Sequence, residues 1–119
     1  MQPQQAPISE VVVVIPARNE GALVQQCLDA LAVAALDLRV RACDVRLHSV
    51  VVLDSCTDQT AELVAAHPEV TAVSAQYANV GASRALGVLL GLSVVEADAS
   101  SVWIANTAAD SRVPVNWLT

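Results

Sequence analysis

Val11-Val12-Val13-Val14-Ile15 is a β-branched run with no polar alternation, the pattern of a strand buried on both faces of a sheet. Pro16 has no N–H to give a neighbouring strand and is expected to end the run. From Glu20 to about Leu36 the apolar positions Val24, Cys27, Leu28, Leu31, Ala35 and Leu38 recur at steps of one, three and four, which predicts an amphipathic helix. A second run, Val50-Val51-Val52-Leu53, leads into the polar turn Asp54-Ser55-Cys56-Thr57-Asp58. Thr57 or Asp58 can cap a helix there, running to about Ala66 and closed by Pro68.

Val70 to Val73 reads as a weaker third strand, and Asn79-Val80-Gly81 as a loop opening a helix from Ala82 to Ala97. Gly87 and Gly91, four apart, allow that helix to pack closely. Val102 to Ala105 reads as a fourth strand, followed by Asn106 to Arg112, and Pro114 precedes an expected helical turn at Val115 to Leu118. Strands that alternate with helices make right-handed βαβ units, so the expected class is α/β: a Rossmann-like, mostly parallel sheet with helices on both faces. Ligands of such sheets sit beyond the carboxyl ends of the strands, where strand order reverses. The loops Pro16 to Glu20, Asp54 to Asp58, Ala75 to Gly81 and Asn106 to Arg112 are therefore the ones that matter.

A chain of 119 residues is sized for one domain, expected over 10–119 after a flexible segment at 1–9. At 55% hydrophobic and 15% charged residues it is too apolar to stay disordered. A net charge of −6, with no lysine and no phenylalanine, excludes the basic or aromatic surfaces that nucleic acid requires. The longest apolar window, Ala85 to Val95, is about half of the ~20 residues a membrane-spanning helix needs, and the first apolar run is too short for a signal peptide. Cys27, Cys43 and Cys56 form no CxxC pair, and all three are expected to be buried, reduced and inert in a cytoplasmic protein. His48 and His67 are expected at the surface, since neither follows the carboxyl end of a strand.

The Pro16 loop lacks G-x-G-x-x-G and G-x-x-x-x-G-K-[ST], which removes NAD-type Rossmann binding and P-loop chemistry. An unpaired Asp54 at the end of a buried strand can accept a hydrogen bond from a base ring N–H, or can satisfy local backbone N–H groups instead. Asp58 is the better cap. Arg84 suits a diphosphate through its fork of donors, or pairs with a local carboxylate; Arg18 is open in the same way.

Taken together, Val-Val-Val-Ile-Pro-Ala-Arg-Asn-Glu (12–20), Val-Val-Leu-Asp-Ser-Cys-Thr-Asp-Gln-Thr (51–60), Asn-Val-Gly-Ala-Ser-Arg-Ala-Leu-Gly (79–87) and Asn-Thr-Ala-Ala-Asp-Ser-Arg-Val-Pro (106–114) resemble the family-2 glycosyltransferases. The resemblance implies the nucleotide-sugar-binding half of a glycosyltransferase A fold, serving sugar transfer from a nucleoside diphosphate sugar to an unknown acceptor. It implies nucleotide contacts from Pro16, Ala17, Arg18, Asn19, Glu20, Asp54, Asn79, Gly81 and Arg84, with Asp54 receiving the base. Where the family carries Asp-x-Asp, this sequence reads Ala108-Ala109-Asp110. Asp110 is thus the one implied metal ligand, and the implied Mg²⁺ or Mn²⁺ site is weakened by Ala108. The family's acceptor-binding half and its general base have no counterpart through Thr119, so no catalytic base is identified and the chain alone is expected to be inactive. The alternative is a non-catalytic nucleotide-binding or assembly module. Trp117 and Leu118 call for something packed on them, such as a second copy of the chain.

Overall fold

The computed structural model describes residues 7–119; most of the expected flexible segment, 1–6, lies outside the described residues. The order of elements is β1 (Glu10–Ala17), α1 (Val24–Arg41), β2 (Arg46–Asp54), α2 (Thr60–Ala65), β3 (Thr71–Ala75), α3 (Val80–Ser93) and β4 (Val102–Asn106), with a short 3-10 turn at Ala99–Ser101 before the last strand. The four strands form one sheet in the order β3-β2-β1-β4, and every pair is parallel. The chain is α/β and Rossmann-like, as the sequence predicts.

The helices divide between the two faces according to the alternation of β1. Val11, Val13 and Ile15, with Val51 and Leu53 of β2, face α1 and meet Val24, Cys27, Leu28 and Leu31. Val12 and Val14, with Val52, face α3, and both faces of β1 are sealed. Gly87 and Gly91 make the second contact: a Cβ on Gly87 would collide with Val14 Cγ1, and one on Gly91 with Val12 Cγ1. The buried stripe of α1 is Val24, Cys27, Leu28, Leu31, Ala34 and Leu38, so Ala34 takes the inward position expected of Ala35.

Pro16 does not end β1. It stays in the strand in register with Val52 of β2, which pairs β1 through Ala17. β4 pairs β1 only as far as Val14, whose carbonyl then accepts from Thr107 N at 3.2 Å. In a parallel ladder both backbone groups of a residue point to one side, and Pro16, two residues on from Val14, points to the side β4 has already left. No ladder hydrogen bond is lost there.

Other boundaries also move. α1 starts at Val24 rather than Glu20 because Glu20 to Leu23 form a turn, with the Glu20 carbonyl accepting from Leu23 N and Val24 N. β2 starts at Arg46, four residues before its apolar run, to pair with Glu10 to Val13. α3 ends at Ser93, short of Ala97. Val115 to Leu118 is a hydrogen-bonded turn, not a helix, with Trp117 N donating to Pro114 O at 3.0 Å. Trp117 and Leu118 are half-buried against the α1-side core. No helix among the described residues is long and apolar enough to cross a membrane.

Candidate functional site

β1 leads to β2 and β3 on one side, and the chain then returns to place β4 on the other side of β1. Strand order therefore reverses between β1 and β4, and this is where a crevice is expected at the carboxyl ends. A cleft of about 250 Å³ opens there, bordered by all four loops. Of the residues expected to bind nucleotide, Pro16, Ala17, Arg18, Glu20, Asp54, Asn79 and Arg84 line it, and so does Asp110. Asn19 and Gly81 do not.

Asn19 instead fastens one loop to the next. Its Oδ1 accepts from Thr57 N at 2.7 Å, from Asp58 N at 3.3 Å and from Thr57 Oγ1 at 3.4 Å. Asp58 returns the link, accepting from Gly21 N at 3.1 Å while its other oxygen takes Thr60 N at 2.9 Å and the Thr60 hydroxyl. Contrary to the expectation that Thr57 or Asp58 caps α2, the cap position is Gln59, which makes no side-chain capping bond; Asp58, one residue earlier, takes the first amide of the helix across a short turn. These bonds, with those from Thr60 first, hold its carboxyl below the usual range. Gly81 lies in the first turn of α3, beside the Asn79 side chain, which caps the helix by accepting from Ala82 N at 2.9 Å.

Among the described residues, three other than glycine adopt left-handed backbone: Asn19 (φ 51°), Ser55 (φ 55°) and Ala78 (φ 49°). Each stands in a different loop at the carboxyl end of the sheet. Asn tolerates this region, whereas Ser and Ala enter it at a cost of about 1–2 kcal/mol. Strain of this kind collects where loop geometry serves a site.

Asp54 is 3% exposed and holds the β3–α3 loop. Its carboxylate accepts from Tyr77 N and Ala78 N at 2.8 Å each, from Asn79 N at 2.9 Å and from Ser55 Oγ at 3.0 Å. Burial alone would raise its pKa, but the donated hydrogen bonds outweigh it and hold the group far below the usual carboxylate range. It is ionised at any physiological pH. Ser83, fully buried and nearby, adds to that lowering although its hydroxyl reaches no partner of good hydrogen-bond geometry.

Arg84 is the other uncommitted group. Its Nε is buried and has no acceptor among the described residues, and neither Arg84 nor Arg18 forms an ion pair there. The cleft thus holds two arginines without an acidic partner. Ser83, Ala78 and Val80 also line it and were not among the expected residues; the signal for Ser83 is the Asn79 cap, whose carbonyl accepts from Ser83 N at 3.0 Å and sets the phase of the helix.

The fourth loop brings Ala108, Ala109 and Asp110 to the cleft, with Ala109 buried and Ala108 and Asp110 exposed. Cys27 Sγ donates to Ala108 O at 3.5 Å from beneath, and burial, aided by the charge of Asp110, pushes its thiol up to about 11. That thiol is inert. Cys56 is half-buried against Ala17 O, whereas Cys43 is exposed, contrary to the expectation that all three are buried. No group of three or more Asp, Glu, His or Cys side chains able to hold a metal ion occurs among the described residues. The donor set does not fit a cation held by the protein alone: Asp110 is the single carboxylate of its loop, Asp54 is committed to amides, and Glu20, the remaining carboxylate of the cleft, gathers with no group of three metal-ligating side chains among the described residues.

His48 is also not the free surface residue expected. Its Nε2 lies 2.8 Å from Glu10 Oε1 at the opposite end of the sheet. His67 packs beside α1, with Nδ1 3.0 Å from Leu63 O. No protein-family model matches the chain, and no curated protein matches it.

Proposed function

We propose that the cleft binds a nucleoside diphosphate, as the donor half of a glycosyltransferase-like domain does. The observation that carries the reading is Arg84: a guanidinium whose Nε is buried without an acceptor, on the wall of a cleft at the switch point of a parallel sheet. A buried donor left unpaired costs about 1–3 kcal/mol, and an anionic oxygen entering the cleft would remove that cost. The fork geometry of Arg suits the phosphate oxygens better than a point charge would. Arg18 on the facing loop supplies a second cation, and Pro16, Ala17 and Val80 offer apolar surface for a base or a ribose.

In the complete reaction the sugar would pass from the diphosphate to an acceptor by displacement at its anomeric carbon. In that step the arginines would stabilise the charge that develops on the departing diphosphate. None of the three carboxylates in the cleft is assigned as a base: Asp54 is committed to loop donors, and Glu20 and Asp110 have no partner there that would orient them toward a reacting atom. The absence of a second carboxylate at Ala108 favours a second reading, a nucleotide-binding module without turnover. Melting curves with uridine, guanosine, cytidine and adenosine diphosphates, each with and without Mn²⁺, test the binding. A ligand at 100 times its Kd raises stability by about 2.7 kcal/mol, and a panel with no shift at millimolar ligand would rule the reading out. Multiple turnovers with a sugar nucleotide would decide against the module.

A further inference from the structure

A carboxylate can read a ligand only with a lone pair to spare. An ionised carboxyl offers about four acceptor positions. Asp54 already has four donors, Tyr77 N, Ala78 N and Ser55 Oγ on Oδ1 and Asn79 N on Oδ2, and the residue is 3% exposed. Three successive amides around a left-handed residue, here Ala78, form the kind of concave nest that binds anions. The occupant of this nest is the chain's own side chain.

The nest sits immediately before α3. Asn79, the last of the three donors, is the residue whose side chain caps that helix, and Arg84 stands on its next turn. We propose that Asp54 is a positioning residue: permanently engaged by the 77–79 loop, it fixes the start of α3 and so holds Arg84 in the cleft, while the base of the ligand is contacted by other walls. The ligand in this statement rests on the nucleoside diphosphate reading; the clasp does not.

The test compares the wild-type chain with Asp54→Asn, Arg84→Ala and the double variant, titrated calorimetrically with uridine diphosphate, cytidine diphosphate and inorganic pyrophosphate. Uridine and cytidine differ at N3, a donor in one and an acceptor in the other. Asparagine turns one acceptor into an NH₂ that faces amide donors, which undoes the clasp. Asp54→Asn should weaken all three ligands by the same factor, roughly 10-fold, and should cost nothing more once Arg84 is absent. A loss confined to uridine diphosphate, with pyrophosphate unchanged, would show that Asp54 reads the base and would overturn the proposal; so would losses that simply add.

Amide hydrogen exchange on the unliganded wild-type chain judges the clasp even if the variants unfold. Slow exchange at Tyr77, Ala78 and Asn79 supports it, and exchange at unprotected rates refutes it. If the wild-type chain binds none of the three ligands, the nucleoside diphosphate reading falls, and the amide measurement still decides whether Asp54 holds the loop.

Discussion

Glu10 Oε1 lies 2.8 Å from His48 Nε2 at the amino end of the sheet, the end opposite the cleft. The other oxygen of Glu10 accepts from Glu96 N at 3.0 Å and Ala97 N at 2.6 Å, which ties the exit of α3 to the start of β1. Glu10 is 2% exposed. The hydrogen bond from His48, followed by that from Ala97, outweighs burial and lowers its pKa from the ordinary 4.5.

A lowered carboxylate pKa contributes stability that is fully present above the unfolded value and lost as pH falls through the folded one. Glu10→Gln should therefore be less stable than wild type above about pH 4.5, and the margin should shrink below it. Urea midpoints across pH 2 to 7 check this. A margin that stayed unchanged down to pH 2 would mean that the Glu10 charge is not what holds the connection.

Gly87→Ala and Gly91→Ala should each destabilise the fold. Alanine gains about 1 kcal/mol in helix propensity over glycine, but its Cβ would overlap a stiff valine of the central strand, and overpacking costs typically ~1–3 kcal/mol. Pairing Gly91→Ala with Val12→Ala should recover part of the loss. A stabilised Gly91→Ala would show that α3 rides higher on the sheet than described.

Asn19→Ala should cost ~1–2 kcal/mol, since it removes the acceptor for Thr57 N and Asp58 N and puts a Cβ-bearing residue without a polar side chain at φ 51°. Asn19→Gly should cost less, because glycine enters that region freely. Equal losses in the two variants, read from urea unfolding, would place the whole effect on the hydrogen bonds.

These side-chain roles separate what a sequence carries locally from what the fold supplies. The β-branched run at Val11 to Ile15 and the helical stripe from Val24 to Leu38 are periodic signals, and both survive in the structure because burial alone generates them. The four loops around the cleft are legible for a similar reason: they follow from where the strands end. Glu10 and His48 are not, since 38 positions separate them and only the parallel register of β1 with β2 brings them together. The start of β2 at Arg46 is hidden likewise, because three of its first four residues, Arg46, His48 and Ser49, are polar and are recruited by pairing with β1. The place of Asp54 on the cleft is legible from the end of its strand, but its three amide donors are not, as they come from 23 to 25 residues away.

Ala108→Asp should raise the affinity of the nucleotide-bound chain for Mn²⁺ by adding a second hard oxygen ligand near Asp110. Because Ala108 is exposed, its melting temperature without metal should move little, within about 0.5 kcal/mol of stability. Asp110→Ala should remove any metal dependence of nucleotide binding. If wild type, Ala108→Asp and Asp110→Ala show the same metal dependence, the fourth loop is not a cation site and the reading without turnover gains.

If the four loops form one nucleoside diphosphate site, amide chemical-shift mapping of the isotope-labelled chain during titration with nucleoside diphosphates will outline it. Saturable changes are expected at Ala17 to Glu20, Asp54, Ala78 to Arg84 and Ala108 to Asp110, attenuated in Arg84→Ala. Saturable changes centred instead on the apolar pocket between α1 and β2, around Leu28, Leu31 and Leu47, or no changes at millimolar ligand in a folded chain, would contradict this reading.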